Sequence, residues 1–318
     1  MRLSRGMYWA ALLLWGIMFL GPTPGQAQEG QPWSLEANAV MDYDFNASQQ
    51  PNSPTAAAFV RGRGDFVYSN LAKVAYTLFY DKPYNIELKY NLFQNFNHRL
   101  SQYDVLSHTF TCTPSYSFGS TRLALPFNYN YTDVESDKYV TSYNLAPNAF
   151  YRFNDVIGLE AGMTLTRQYN ATPVFLRQFD RTGRGIGANA AFYYFFDEKG
   201  GYVQARFTWE FYNATGRNND GNNLHWILLA YYPVNQQFNV QVFADLGYLP
   251  YDHRYFDGSG TPYPKRTDTN LNLGLVATYN IYKGLDVSAH YYYTSQGSNI
   301  ALYAYERHVV GVQVGYRY

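Results

Sequence analysis

Along most of the chain, apolar and polar residues alternate with a period of two. In Tyr84-Asn85-Ile86-Glu87-Leu88-Lys89-Tyr90-Asn91-Leu92 every even position is apolar and every odd position polar. Successive side chains of a strand point to opposite faces, so this pattern predicts one face in hydrocarbon and the other in water. Val203-Gln204-Ala205-Arg206-Phe207-Thr208-Trp209-Glu210-Phe211 repeats it, as do Phe238–Val242 and Leu271–Leu275. Strands of soluble sandwiches average about 5–6 residues, whereas a tilted strand crossing a bilayer needs about 9–11. The segments here have the longer length.

Fourteen such segments are expected, at about 33–45, 66–80, 84–96, 104–116, 121–132, 139–153, 156–169, 184–196, 201–212, 223–232, 238–249, 269–281, 285–295 and 305–318. Tight connectors (Asp81–Pro83, Ser117–Ser120, Asn154-Asp155, Asp197–Gly200, Val234–Gln237, Tyr282–Gly284) alternate with longer ones at 46–65, 97–103, 133–138, 170–183, 213–222, 250–268 and 296–304. Short turns at one end and longer loops at the other are the layout of an outer-membrane barrel. The fold class expected is therefore all-β, an antiparallel up-and-down transmembrane β-barrel of about fourteen strands, within a range of 12–16. The final stretch, with Val310, Val312, Val314, Tyr316 and Tyr318 alternating with Gly311, Gln313, Gly315 and Arg317, resembles the closing strand of bacterial outer-membrane barrel proteins. That resemblance implies recognition by the barrel assembly machinery, although most such strands end in Phe. A further, shorter resemblance, Tyr43-Asp44-Phe45-Asn46 together with the strand count, is to the 14-stranded barrels associated with tetratricopeptide repeats, including surface lipoprotein assembly modifiers. The helical repeat domain of those proteins has no counterpart here.

The N-terminus changes the picture from strands to export. Arg2 and Arg5 precede the apolar run Met7–Leu20, a Gly21-Pro22-Thr23-Pro24 break and the small residues of Gly25-Gln26-Ala27. This is the pattern of a cleaved signal peptide, so residues 1–27 are expected to be removed and 28–318 to form a single barrel domain. With Gln28 and not a cysteine directly following the point of cleavage, no lipid anchor is expected there. Composition fits: 19% of the residues are aromatic, 34 of them tyrosine, yet the mean hydropathy is −0.37. Transmembrane barrels carry aromatic belts at both lipid–water boundaries. The formal net charge is zero and only 15% of residues are charged, which gives no reason to expect a nucleic acid partner. Cys112 is the single cysteine, so no internal disulfide can form and thiolate metal clusters are excluded.

If the apolar face meets lipid, the other lines a lumen. The charged lumen-lining candidates are Glu36, Asp42, Asp44, Lys73, Glu87, Lys89, Arg122, Arg152, Glu160, Arg206, Glu210, Asp245, Asp286, Arg307 and Arg317. Amides such as Asn91, Asn128, Asn144 and Asn272 join them. Mixed signs argue against strong ion selectivity. A fourteen-stranded barrel is wider than the eight strands that side chains can fill. The expected function is passive diffusion of small hydrophilic solutes across the bacterial outer membrane. A macromolecular transport or assembly barrel and a closed structural or adhesive barrel are the alternatives.

Candidate chemistry is sparse. Asp42-Tyr43-Asp44-Phe45-Asn46 spaces oxygen ligands as a calcium loop does, but Ala47 stands where glycine is needed, and an extended strand explains the spacing. Six histidines raise the question of hydrolysis. None has a serine or acid that strand spacing places beside it, and Asp252-His253 is expected to be a solvated loop pair. No cofactor, metal or catalytic residue is expected. Three interior prolines, Pro114, Pro126 and Pro147, each remove a ladder donor, so each site is expected to need a bulge, a water or a polar side chain.

Overall fold

The computed structural model describes residues 32–47, 49, 64–171, 179–196, 200–256, 263–282 and 284–318. The expected signal peptide lies outside the described residues. The strands are β1 (Trp33–Asp44), β2 (Asp65–Leu78), β3 (Tyr84–Asn97), β4 (Val105–Phe118), β5 (Thr121–Ala124 continuing as Phe127–Val134) and β6 (Asp137–Leu145 continuing as Asn148–Arg152). They continue as β7 (Ile157–Asn170), β8 (Gly183–Phe196), β9 (Gly201–Ala214), β10 (Gly221–Pro233), β11 (Phe238–Arg254), β12 (Lys265–Tyr282), β13 (Leu285–Ser298) and β14 (Tyr305–Arg317). Each pairs antiparallel with its sequence neighbours, and β14 returns to β1, so the sheet is a closed barrel of fourteen strands. Closure leaves no strand edge unpaired, which is what hydrocarbon demands of backbone polar groups.

The faces are inverted relative to a soluble protein. On β11, Val242 (48%) and Leu246 (53%) are exposed while Asp245 is fully buried; on β14, Val310, Val312 and Val314 are exposed while Tyr305 and Val309 are buried. The large exposed side chains are apolar and many of the buried ones polar, as alternation predicts for a wall with lipid outside. Strand tilt is legible in the register. In-register partners of Glu36, near the start of β1, run through Lys73, Asn91, Thr109, Asn130 and Ser142 to Gln168, near the opposite end of β7. Such stagger is the shear that a closed barrel requires.

At the seam β14 pairs antiparallel with β1. Glu36 stands opposite Arg317, and Asp44 accepts from Arg307. Leu35 and Tyr318 exchange both backbone hydrogen bonds, and Trp33 stacks on Tyr318 at 4.6 Å. At the short-turn end, Gly119 and Gly200 take positive φ values of 53° and 84° that other residues adopt at a cost. At that end Tyr84, Tyr151, Phe153, Tyr316 and Tyr318 are exposed on the outer face.

One expectation is corrected, and one of the alternatives for the prolines is ruled out. The connector at 133–138 is not a long loop: Glu135 and Ser136 form a two-residue turn with φ of 54° and 65°. Both residues have positive φ, the geometry that matches hairpin twist, but neither is the Gly or Asn that announces it. The prolines are not bulged. Pairing of β4 with β5 keeps one register on both sides of the gap, Cys112 opposite Phe127 and Ser115 opposite Ala124. The same holds for β5–β6 and β6–β7. The ladder loses bonds without shifting, so β5 breaks at 125–126 and β6 at 146–147 at one height in the wall. The bulges lie elsewhere, at Thr132/Asp133, Pro250/Arg254 and Asn280/Tyr282.

Candidate functional site: the inner face of the barrel

Each proline still uses its carbonyl. Pro114, Pro126 and Pro147 accept from the amides of Leu125, Ala146 and Met163 at 2.9 Å each. The reciprocal donor is missing, because proline has no N–H. For Ala146 a side chain supplies it: the Asn148 amide donates to the Ala146 carbonyl at 3.2 Å. Of the three compensations expected from sequence, a polar side chain is the one found at Pro126.

The register sets all fifteen charged candidates on the same side of the sheet, the concave one, and their contacts fall into groups. Around the seam, Glu36 pairs with Lys73 at 3.3 Å, Arg317 with Asp286 at 3.1 Å, and Arg307 with Asp44 at 2.6 Å. Glu87 and Lys89, two residues apart on β3, pair at 3.0 Å. Across β7 and β9, Glu160 meets Arg206 at 3.1 Å, with Tyr193 between them donating to Glu160. Contact between strands that are not neighbours is possible only on the concave side. Arg152 turns toward the short-turn end, donating to the carbonyls of Asn154 and Asp155 and lying 4.9 Å over Phe195. Arg122 stands opposite Phe150 and Glu210 opposite Gly187.

Glycine makes two of these contacts possible. Gly311 on β14 lies between Asp42 on β1 and His290 on β13, which are bonded at 2.7 Å over it. A Cβ on Gly311 would collide with the Asp42 carboxylate and the His290 ring. Gly185 leaves room in the same way for the Glu210 carboxylate.

Sequence reasoning found the histidines but not their acids. Besides His290–Asp42, His225 bonds Asp245 at 2.9 Å, and Asp245 also accepts from Asn272 at 3.3 Å. His253, expected beside Asp252, is instead within 3.3 Å of Asp220. The acids come from other strands or, for Asp220, from the connection between β9 and β10, at separations that a single strand's spacing cannot display. On the lipid side, His108 and His308 each bond a tyrosine, Tyr90 at 2.9 Å and Tyr291 at 2.8 Å. This satisfies polar atoms that lipid cannot hydrate.

The calcium-like spacing is an extended strand. Asp42 is committed to His290, and Asp44, 0% exposed, accepts from Arg307 and from the Asn46 amide. Cys112 stands between Leu88 and Phe127 on the outer face.

The wall from β4 to β6 is different. Asn130 donates to Ser107 and Thr109 at 2.9 and 2.8 Å and accepts from Thr132 at 2.9 Å. Thr111 donates to Asn128, and Asn144 to Thr166. These are neutral amides and hydroxyls. Toward the short-turn end the concave face also carries aromatic rings missing from the sequence-derived polar inventory: Phe150, Tyr193, Phe195, Tyr202 and Tyr231 follow one another at centroid distances of 5.6–6.3 Å. Their alternation with polar neighbours is the same on either side of the wall, which hides them.

At the loop end, Phe179, Tyr255, Ile300 and Tyr303 from three connections pack together. Arg266 lies under them, 2% exposed, paired with Asp268 and 3.4 Å from the Tyr303 ring centroid.

No family model and no curated protein matches the chain. Among solved structures it is similar to the translocator domain of the autotransporter NalP from Neisseria meningitidis, with 13% identity over 97% of this chain and 96% of that one and a TM-score of 0.41. It is also similar to OccAB3 of Acinetobacter baumannii (8%, 90% and 99%, 0.46) and to the outer membrane protein OprD from Pseudomonas aeruginosa (9%, 91% and 94%, 0.41). With fourteen antiparallel strands closed on themselves, apolar outside and polar within, the chain has the fold of a transmembrane β-barrel.

Proposed function

We propose that the protein is a bacterial outer-membrane channel through which small hydrophilic solutes diffuse passively, a transporter and not an enzyme. The supporting observation is the internal compensation of the concave face. Its fifteen candidate charges, eight acidic and seven basic, are largely paired with one another. On β4–β7 a stretch of neutral amides and hydroxyls hydrogen-bonds from strand to strand. Such a surface offers water and uncharged solutes replaceable hydrogen bonds without a net field to select ions. The partners are then the lipid bilayer, the assembly machinery during biogenesis, and the solutes themselves.

A second reading has its own observation. Aromatic residues of three outer connections pack together above Arg266, which favours a gated or closed barrel. Purified protein in planar bilayers separates the two. Steady ohmic steps with weak cation–anion preference, and liposome swelling in small sugars, are expected of the channel. Silence in both, with folded barrel present, would overturn it.

A further inference from the structure

The outer face carries one row that does not suit hydrocarbon. Tyr143 on β6 stands in register with Arg167 on β7, Arg167 with Arg184 on β8, and Arg184 with Asn213 on β9. All four side chains are on the lipid side and exposed. Two guanidinium groups therefore face each other directly across a strand pair, an arrangement that like-charge repulsion disfavours. Among the described residues no carboxylate lies within ion-pair distance of either, and the intervening residues 172–178 contain no acid. Arg167 leans over the Tyr169 ring at 5.0 Å, which leaves its repulsion from Arg184 uncompensated.

The height of the row is informative. Arg167 is three residues from the loop end of β7 and Arg184 is the second residue of β8. One step toward the membrane centre the same strand pair presents Leu165 beside Ile186, then Met163 beside Ala188. Cations thus sit directly above an apolar seat, at the level where strands leave hydrocarbon for the headgroups. A ligand that satisfies both parts has an anionic head and an acyl tail.

We propose that Arg167 and Arg184 bind a phosphate of an outer-leaflet lipid headgroup, with Tyr143 and Asn213 as flanking donors and the lipid chain along Leu165 and Ile186. The inference rests on the outer-membrane reading but not on whether the lumen conducts. Guanidinium is suited to this task, since its planar fork meets two phosphate oxygens at once. The apolar seat distinguishes this pair from a second outward like-charged one, Arg254 opposite Lys265, which lies beyond a register shift and above Pro250 and Thr267.

The test uses the full barrel in phosphatidylcholine vesicles, titrated with bis-phosphorylated lipid A, with the same lipid after phosphate removal, and with inorganic phosphate. Thermal stabilisation by the phosphorylated lipid alone is expected. R167Q/R184Q should weaken its half-maximal concentration by roughly tenfold or more, as expected for loss of charge-assisted bidentate bonds. R254Q/K265Q should leave it unchanged, and unaltered melting of both variants without lipid shows that they fold. An equal response to the dephosphorylated lipid, or full retention of binding by R167Q/R184Q, overturns the proposal. Stabilisation by inorganic phosphate to the same extent would show a free-anion site and overturn the assignment to lipid. Loss of conductance with intact lipid binding would sink the channel reading alone.

Discussion

The seam wall, β13–β14–β1–β2, and the proline wall, β4–β5–β6, solve the same problem by opposite means. At the seam the backbone ladder is continuous and the concave side chains are ions, paired strand to strand. In the proline wall the ladder has gaps at one height, and on its loop side the concave side chains are mostly neutral groups bonded sideways to each other, with Arg122 and Arg152 toward the short turns. Backbone bonds hold register at the seam, and the ion pairs reinforce it. Where prolines remove backbone donors, side chains take over part of the work. The difference teaches that register in a barrel does not need an unbroken ladder, provided the flanking bonds fix the same offset.

The largest effect that would sharpen this contrast is expected at Asp44. Asp44→Ala leaves Arg307 buried without its carboxylate, and breaking a buried pair on one side should cost about 3 kcal/mol. Urea unfolding in vesicles, followed by tryptophan fluorescence, measures it. The matching Asp44→Leu with Arg307→Met should recover most of the loss, since it removes both charges. A harmless Asp44→Ala would mean that the seam is held by its backbone alone.

Gly311→Ala follows. The added methyl meets Asp42 and His290, and relieving the collision should cost about 1–3 kcal/mol. Loss of the downfield imidazole N–H resonance of His290, monitored by NMR, reports the broken His290–Asp42 bond directly. Asn148→Ala in the proline wall should cost about 1–2 kcal/mol, because it leaves the Ala146 carbonyl without a donor. That penalty should disappear in a Pro126→Ala background, where the restored amide reaches Ala146 itself. If the double-mutant cycle shows no coupling, the side chain is not substituting for the ladder. Smallest of all, Asn130→Ala should cost about 1 kcal/mol through its lost bonds to Ser107 and Thr109. Amide exchange then completes the comparison. Faster exchange beside 125–126 and 146–147 than along β13–β14 is expected, and equal protection would erase the distinction between the walls.

The sequence carried the architecture because strand period, turn length and terminal closure are local signals. Glu87 and Lys89 are legible as neighbours on one face for the same reason. What it did not carry are relations between strands: His290 with Asp42 and Glu160 with Arg206 lie two strands apart, and His225 meets Asp245 across one strand pair. Those require the barrel's stagger, which no single segment encodes. The two-residue turn at Glu135-Ser136 escaped because its residues do not advertise left-handed backbone. The inward rings Phe150 and Phe195 escaped because an aromatic residue near a boundary fits either face.

The reciprocal bonds between Leu35 and Tyr318 have a consequence in time. Every other strand pairing joins neighbours in sequence, so hairpins can form early and propagate from one to the next. Only the joint between the first and last strands spans nearly the whole chain, and the entropy of bringing those ends together is met by no local contact on the way. Until it forms, the intermediate is a curled sheet with two bare edges, open to any other strand that passes. The stacked Trp33 and Tyr318 therefore act as a latch whose speed, more than its strength, decides how long the half-made barrel is exposed to aggregation.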